Sequence, residues 1–290
     1  MTGKRRHSDS THAAIKAPVK HAIHVAAHAL GPTAVRVVKI GGRAQGDGSL
    51  SARILEAVSV TGARVVVVHG GGDEVSALQR QMGVEPTFVD GRRVTRATDL
   101  EAVRMVLSAT VNKRLVAQFI TAGVRAVGVS GEDGGLISAR VTDAAFGRVG
   151  GDVITDATLA ADLLNAGWVP VISPLARDRE APDGAGLNVN GDDAAASIAA
   201  GLGADELVFV ADVPGVLEEG TVLAGIDSAA IAKLVARGVV QGGMRAKLEA
   251  ATMALRNGVR RVRIAGLAGI TDPSVGTVVS LTTTNSRDHA

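Results

Sequence analysis

The chain has 290 residues, 46% of them hydrophobic and 21% charged, with a formal net charge of +2. That length supports one large α/β domain or two packed lobes, and so small a charge argues against nucleic acid as the main partner. With no cysteine in the sequence, disulfides, thiolate catalysis and zinc–thiolate clusters are excluded, and no run approaches the ~20 apolar residues that cross a bilayer.

Residues 1–34 stand apart. Five of the seven histidines lie there, Asp9 is the only acid, and Lys4, Arg5, Arg6, Lys16 and Lys20 make the segment basic. Ile15, Val19, Ile23, Ala26 and Leu30 recur at helical spacing, Pro18 suits a first helical turn and Gly31-Pro32 a stop, which predicts a short helix from Pro18 to Leu30. A solvated leader fits the same residues equally well, because a lone helix of this length is marginal in water. The basic, acid-poor start is also compatible with an organellar transit peptide; without the apolar core of a secretory signal, the expected location is the cytoplasm.

From Val35 onward, apolar runs of strand length alternate with helical patterns. The runs are Val35–Ile40, Arg64–His69, Arg125–Ser130, Val169–Ser173, Glu206–Ala211 and Arg261–Ala265, each the composition of a buried strand. Helices are expected at Leu50–Val60, Asp73–Gln81, Asp99–Ala122, Asp156–Asn165, Asp192–Leu202, Ser228–Ala236 and Arg245–Arg256. Repeated strand-then-helix order implies an α/β fold: an open three-layer αβα sandwich around a mainly parallel sheet. Asp143–Val153 and Ala176–Asn190 fit neither pattern and read as a hairpin or loops.

In such a sheet ligands gather at the carboxyl ends of strands, and several strand ends here carry glycine. Lys39-Ile40-Gly41-Gly42 closes the first strand with an ammonium and two bare backbone positions, a combination that suits phosphate. His69-Gly70-Gly71-Gly72 closes the second at the start of a helix; a strand-end histidine is more often a structural hydrogen-bonding residue than a base. Asn188-Val189-Asn190-Gly191-Asp192-Asp193 precedes an alanine-rich helix and, taken alone, is an ordinary cap. Asp212-Val213-Pro214-Gly215-Val216-Leu217 follows a strongly apolar strand and could hold a nucleotide's base and ribose, and Gly242-Gly243-Met244-Arg245-Ala246-Lys247 opens a helix with a second lysine. Neither G-x-x-x-x-G-K-[ST] nor G-x-G-x-x-G occurs, so a phosphate site must be assembled from separate loops.

Taken in order, these segments together with Gly91-Arg92-Arg93-Val94-Thr95 and Val111-Asn112-Lys113 resemble the amino acid kinase family from about residue 35 to 280. The resemblance implies an acyl-amino-acid lobe (35–190), an ATP lobe (191–283) and a short tail (284–290). It implies transfer of the ATP γ-phosphate, with Mg²⁺, to the side-chain carboxylate of N-acetyl-L-glutamate, a step of arginine biosynthesis. By position, Lys39 and Lys247 match the lysines that stabilise the transferring group, and Asp192 the aspartate that orients them and raises their pKa. Gly71, Gly72, Arg93 and Asn188 match acceptor contacts, Arg93 taking the α-carboxylate. Gly41 and Gly42, the loop Asp212–Leu217, Gly242 and Gly243 match the nucleotide region. No protein metal ligand is implied, and a homodimer is the expected assembly, with a hexamer through the N-terminal helix as the alternative.

The chemistry is self-consistent. A carboxylate is already a nucleophile at neutral pH, so no general base is needed, and catalysis reduces to alignment and charge neutralisation. Two departures from the family pattern matter. Residue 191 is glycine where alanine is common, and Gly266–Val275 (GLAGITDPSV) lacks the His and Glu of arginine-inhibited members, so arginine feedback is not implied. A kinase of carrier-protein-bound aminoadipate or glutamate uses the same scaffold, and Arg92, Arg93 and Arg96 would give it a basic rim. A non-catalytic amino-acid sensor would not need both lysines and every glycine loop.

Overall fold

The structure, a computed structural model, describes residues 34–89, 92–181 and 183–282. The expected helix at Pro18–Leu30, the tail 284–290 and Gly91 lie outside the described residues.

Strand β1 (Val35–Ile40) leads through a single helical turn, α1 (Gly42–Gln45), to α2 (Leu50–Ser59), and β2 (Arg64–His69) runs into α3 (Gly72–Gln81). An antiparallel pair, β3 (Phe88–Val89) and β4 (Arg92–Arg93), precedes a long helical run. That run consists of α4 (Ala97–Arg104), a π-helical segment (Met105–Val111) and α5 (Asn112–Thr121). Next come β5 (Ala126–Ser130), β6 (Ile137–Val141), β7 (Val149–Thr155), α6 (Thr158–Asn165), β8 (Val169–Ser173), β9 (Leu175–Asp178) and β10 (Gly186–Val189). The remainder carries α7 (Gly191–Gly201), β11 (Glu206–Val210), β12 (Leu217–Glu218), β13 (Thr221–Val222), β14 (Gly225–Asp227), α8 (Ser228–Ala236), α9 (Gly242–Arg256), β15 (Arg261–Ala265) and β16 (Thr277–Ser280).

Eight strands form the central sheet in the order β14-β16-β15-β11-β1-β2-β8-β5. Every pairing is parallel except β15 with β16. Strands from the two halves of the sequence meet only at β1 and β11, where Lys39 lies in register with Phe209. The winding reverses at this seam, so the end of β1 opens into the crevice where open α/β sheets bind ligands.

Alternation along each strand divides the core between the two faces. Val35 and Val37 of β1, Val66 and Val68 of β2, and Leu207 and Phe209 of β11 join α6, α7 and α9 in one cluster. Val38, Ile40, Val65, Val67, Val208 and Val210 join α2, the π-helical segment and α5 in the other. This is the three-layer sandwich that the strand-then-helix order predicts.

Of the two stretches read as a hairpin or loops, Ala176–Asn190 holds almost all of a hairpin, β9 with β10, and Asp143–Val153 leads into β7, which pairs antiparallel with β6. They contribute to a closed four-stranded barrel, β10-β7-β6-β9, whose members are short and, in β7, interrupted by Gly150 and Gly151. A Cβ at Gly150 would lie 2.8 Å from the Ala139 Cβ, so close packing within the barrel requires the glycine. At the opposite edge of the sheet from the glycine loops, Glu206 receives Arg36 at 2.9 Å and Arg263 at 2.6 Å. The same arginines donate to carbonyls of the Gly266–Val275 loop, at Ile270, Gly269, Asp272 and Val275. In this chain that loop is anchored by the protein's own guanidinium groups.

Candidate active site

The site is organised by Asp192, in the first turn of α7. The turn is capped from Asn190, whose Oδ1 accepts from the Asp192 N–H at 2.7 Å, so the Asx-rich run is both a helix cap and the base of the site. Asp192 Oδ1 lies 2.7 Å from Lys39 Nζ, and Oδ2 lies 3.1 Å from Lys247 Nζ. Lys39 comes from the end of β1 and Lys247 from the second turn of α9; one buried carboxylate holds both.

Burial alone would raise the Asp192 carboxyl, but the two ammonium groups outweigh it and hold the group below the usual carboxylate range. For Lys39 the balance differs from the sequence-based expectation. Asp192 pulls its pKa up, yet burial, aided by the nearby charge of Lys247, pushes it below the ordinary lysine value. The aspartate orients Lys39 and keeps it paired, while removal from water has the larger effect.

Two clefts open on either side of this triad. One, of about 220 Å³, is lined by Gly70–Gly72, Phe88, Arg92, Arg93, Asn188, Asn190, Gly191 and Asp193 among others. The other, of about 420 Å³, is lined by Gly41, Gly42, Asp73, Val210–Val213, Gly243, Met244 and Lys247. Gly191 belongs to the first wall and Lys247 to the second, so Asp192 and its lysines stand at the partition. At Gly191 a Cβ would lie 3.3 Å from Lys39 Cε; the glycine leaves room for that side chain to move.

In the smaller cleft, Arg93 is held rigidly. Its guanidinium donates to the Gly72 carbonyl at 2.7 Å, Ser76 Oγ at 2.6 Å and Gln79 Oε1 at 2.5 Å, and it lies over the Phe88 ring at 4.7 Å. Three of its five N–H donors are thus committed within the protein. Asn188 Nδ2 donates to Thr95 Oγ1 at 3.0 Å. Gly71 is required sterically: a Cβ would come within 2.8 Å of Leu107 Cδ2 and 3.1 Å of Val111 Cγ2, both in the π-helical segment. His69 is fully buried, with its Nδ1 at 2.9 Å from the Gly70 carbonyl, and burial lowers its pKa to about 4. It is a neutral structural residue, as a strand-end histidine is expected to be.

In the larger cleft, Gly41 and Gly243 have open space where a Cβ would stand, and Gly242 adopts φ +52° at the start of α9, a conformation L-residues with side chains rarely take. Of the expected nucleotide loop, Asp212 and Val213 line the cleft. Gly215 and Val216 pack elsewhere: the Val216 N–H donates to Thr277 Oγ1 of β16 at 2.8 Å, and a Cβ on Gly215 would meet that same oxygen at 2.7 Å.

Sequence reasoning did not single out Asp73 or Asp193. Asp73 directly follows the His69–Gly72 run and Asp193 closes the Asn188–Asp193 run; each sits in the first turn of a helix, and that placement is the signal that could have given them a role. Asp193 is half-buried, and its pKa is raised to about 6 by burial, with Asp192 and Glu249 adding to the effect and Arg92 opposing it. Among the described residues no group of three acidic or histidine side chains is gathered for a metal ion, and no helix is long and apolar enough to cross a membrane.

Residues 34–266 match the amino acid kinase family. An acetylglutamate kinase of Chloroflexus aurantiacus is 41% identical over 243 residues, 83% of this chain and 95% of that protein. One from Methanopyrus kandleri is 41% identical over 256 residues, 84% of this chain and 100% of its own length. A solved protein of Streptococcus mutans superposes with a TM-score of 0.75 at 29% identity, covering 85% of this chain and 98% of that one.

Proposed function

The chain belongs to the amino acid kinase family, and on that premise we propose that it transfers the ATP γ-phosphate to the side-chain carboxylate of N-acetyl-L-glutamate, giving the acyl phosphate of arginine biosynthesis. The observation that carries the reading is the Lys39–Asp192–Lys247 triad at the partition between two clefts. Relatives that are 41% identical over most of the chain are acetylglutamate kinases, which supports the choice of acceptor.

Residues 35–190 supply most of the acceptor side and 191–283 much of the nucleotide side, with Gly41, Gly42 and Asp73 crossing to the nucleotide cleft and Gly191 and Asp193 to the acceptor cleft. Arg93 faces the α-carboxylate as a fixed positive charge, its guanidinium already immobilised by Gly72, Ser76 and Gln79. Asn188 and the backbone N–H groups of Gly71 and Gly72 fix the side-chain carboxylate, which is ionised and needs no base. Gly41, Gly42, Gly243 and the Asp212–Val213 turn receive the nucleotide. Lys39 and Lys247 then face the phosphoryl oxygens where charge develops, a field already in place before the substrates react.

The residues fit Mg²⁺ as a companion of the nucleotide phosphates. Asp73 and Asp212 are the carboxylates of the larger cleft, which suits an ion held mainly by phosphate oxygens and water; bound there, it neutralises phosphate charge. A homodimer in the cytoplasm is the expected setting, and sedimentation of the purified protein tests the assembly. The activity test is ADP release with N-acetyl-L-glutamate and Mg-ATP. Turnover is expected; release with a carrier-bound aminoadipate but not with N-acetyl-L-glutamate would overturn the acceptor assignment.

A further inference from the structure

Asn112 is fully buried and touches neither cleft wall, yet its carboxamide joins three elements around the glycine loop. Its orientation is determined by its neighbours. Oδ1 accepts from Lys113 Nζ at 3.2 Å, and Nδ2 donates to the Val171 carbonyl of β8 at 2.8 Å. The second Nδ2 proton faces His69 Nε2 at 3.1 Å and, at the longer distance of 3.4 Å, the Val129 carbonyl of β5; because an amide NH2 cannot accept, the ring nitrogen facing it is the acceptor. His69 Nδ1 then carries the ring proton and donates to the Gly70 carbonyl at 2.9 Å, a carbonyl that Gln45 Nε2 also reaches at 2.9 Å.

This order of donors has a consequence for the acceptor cleft. The Gly70 carbonyl and the Gly71 N–H belong to one planar trans peptide and point in opposite directions. Holding the oxygen inward turns the Gly71 N–H outward. The surrounding structure makes room for this arrangement at a cost elsewhere: a Cβ at Gly128 would fall 1.8 Å from Asn112 Oδ1, so β5 must carry glycine there. From the other side, Leu107 and Val111 of the π-helical segment press on Gly71, and π-helical turns recur next to functional sites.

We propose that Asn112 is a positioning residue for the acceptor: its carboxamide selects the His69 tautomer that holds the Gly70 carbonyl, and so aims the Gly71 N–H at the acceptor carboxylate. Asn112 acts through His69 and touches no substrate. The charged groups facing His69 are Lys39 from β1 and Arg114 from α5, which oppose its protonation, and Glu74 from α3, which favours it; Arg114 and Glu74 are themselves paired at 2.7 Å. Lys113 meets the far side of the Asn112 carboxamide. The kinetic part of the inference rests on the acceptor assignment above; the tautomer does not.

His69 is the only histidine between residues 29 and 287, which makes the ring readable by NMR. In the wild-type protein, nitrogen shifts should report protonated Nδ1 and bare Nε2, with a C2–H titration midpoint near 4. A proton on Nε2, or a midpoint near the ordinary ~6.5, overturns the proposal without any variant. Asn112→Asp keeps the size and replaces the donor with an acceptor, so the midpoint of His69 should climb above its wild-type value. With it, kcat/KM for N-acetyl-L-glutamate should fall by about tenfold to a hundredfold, as a misaimed group costs, while KM for ATP stays within about twofold. An unchanged acceptor kcat/KM, or an equal loss toward both substrates, overturns it. Wild-type turnover is measured first: its absence counts against the proposed function, whereas the wrong tautomer in an active enzyme counts against Asn112.

Discussion

Lys39 Nζ lies 2.7 Å from Asp192 Oδ1, with both side chains almost withdrawn from water at 9% and 6% exposure. Lys247 meets the same carboxylate from the other side at 3.1 Å. Two cations on one anion leave an excess positive charge at the partition between the clefts, where a phosphoryl group in transfer brings negative charge. The arrangement favours the transition state over the resting enzyme, because the excess is compensated only when phosphate is present.

Removing Lys39 should therefore affect the chemical step. For Lys39→Ala the expected loss is ~2.7–4 kcal/mol of transition-state stabilisation, read as a fall of about a hundredfold to a thousandfold in kcat, with ATP binding by calorimetry largely intact. A kcat within about tenfold of the wild type would refute the role. Asp192→Asn should be worse for the fold than for ATP binding, because it leaves two ammonium groups facing each other in a buried site, and losing one partner of a buried pair costs ~3–5 kcal/mol. Thermal melting checks this; a variant as stable as the wild type would mean that the lysines find other partners.

Arg93 makes three hydrogen bonds within the protein and stacks on Phe88, so its fork is set before the acceptor arrives. Arg93→Lys cannot reproduce these three fixed bonds and still present its charge at the same place. Loss of hydrogen bonds to a charged group, worth ~1.5–3 kcal/mol, should raise KM for N-acetyl-L-glutamate by about tenfold or more with kcat less affected. Steady-state kinetics at saturating ATP measure the split, and a change confined to kcat would place the arginine's role in the chemical step instead.

What could be read from the sequence follows from which interactions are local. The strands through Val37, Val67, Val171 and Val208 are continuous apolar runs because both their faces are covered, and that pattern is visible in one dimension. The barrel was not legible because β7 holds Gly150, Gly151 and Asp152, a composition that reads as hairpin or loop until the partner strands are known. The π-helical turn at Met105–Val111 has no compositional mark. Arg36, Glu206 and Arg263 are buried charges inside strands, legible only once β1, β11 and β15 are side by side. The site divides the same way: Asp192 and Lys247, an ordinary cap and a helix charge when read alone, were picked out with Lys39 by the resemblance of the ordered motifs, whereas the depressed pKa of Lys39 depends on burial, a property of the assembled fold.

Asp193 gives the acceptor cleft a pH dependence. Its carboxyl titrates at about 6, raised by burial and by Asp192 and Glu249 against the pull of Arg92, so it is neutral below that value and negative above it. The proposed acceptor is an anion from about pH 5 upward, and an added negative charge on the cleft wall repels it. KM for N-acetyl-L-glutamate should rise in the wild type as pH climbs through 6, and Asp193→Asn should remove that rise while leaving KM at pH 5 nearly unchanged. The same dependence persisting in the variant would assign it to another group.

Two glycine substitutions should separate the clefts from each other. Gly71→Ala puts a Cβ 2.8 Å from Leu107 Cδ2 and 3.1 Å from Val111 Cγ2, so either the loop or the π-helical segment must give way, and the nearest ligand surface is the acceptor cleft. Gly242→Ala meets no atom within 4 Å but must hold φ +52°, a strain of ~1–2 kcal/mol for an L-residue, and relief of that strain shifts the start of α9 and with it Lys247. The expected outcome is therefore a raised acceptor KM with normal ATP binding for Gly71→Ala. For Gly242→Ala, lower kcat and weaker ATP binding are expected, with acceptor KM within about twofold of wild type. Fluorescence titration with an ATP analogue and initial-rate kinetics distinguish the two, and the reverse assignment of effects would show that the larger cleft is not the nucleotide site.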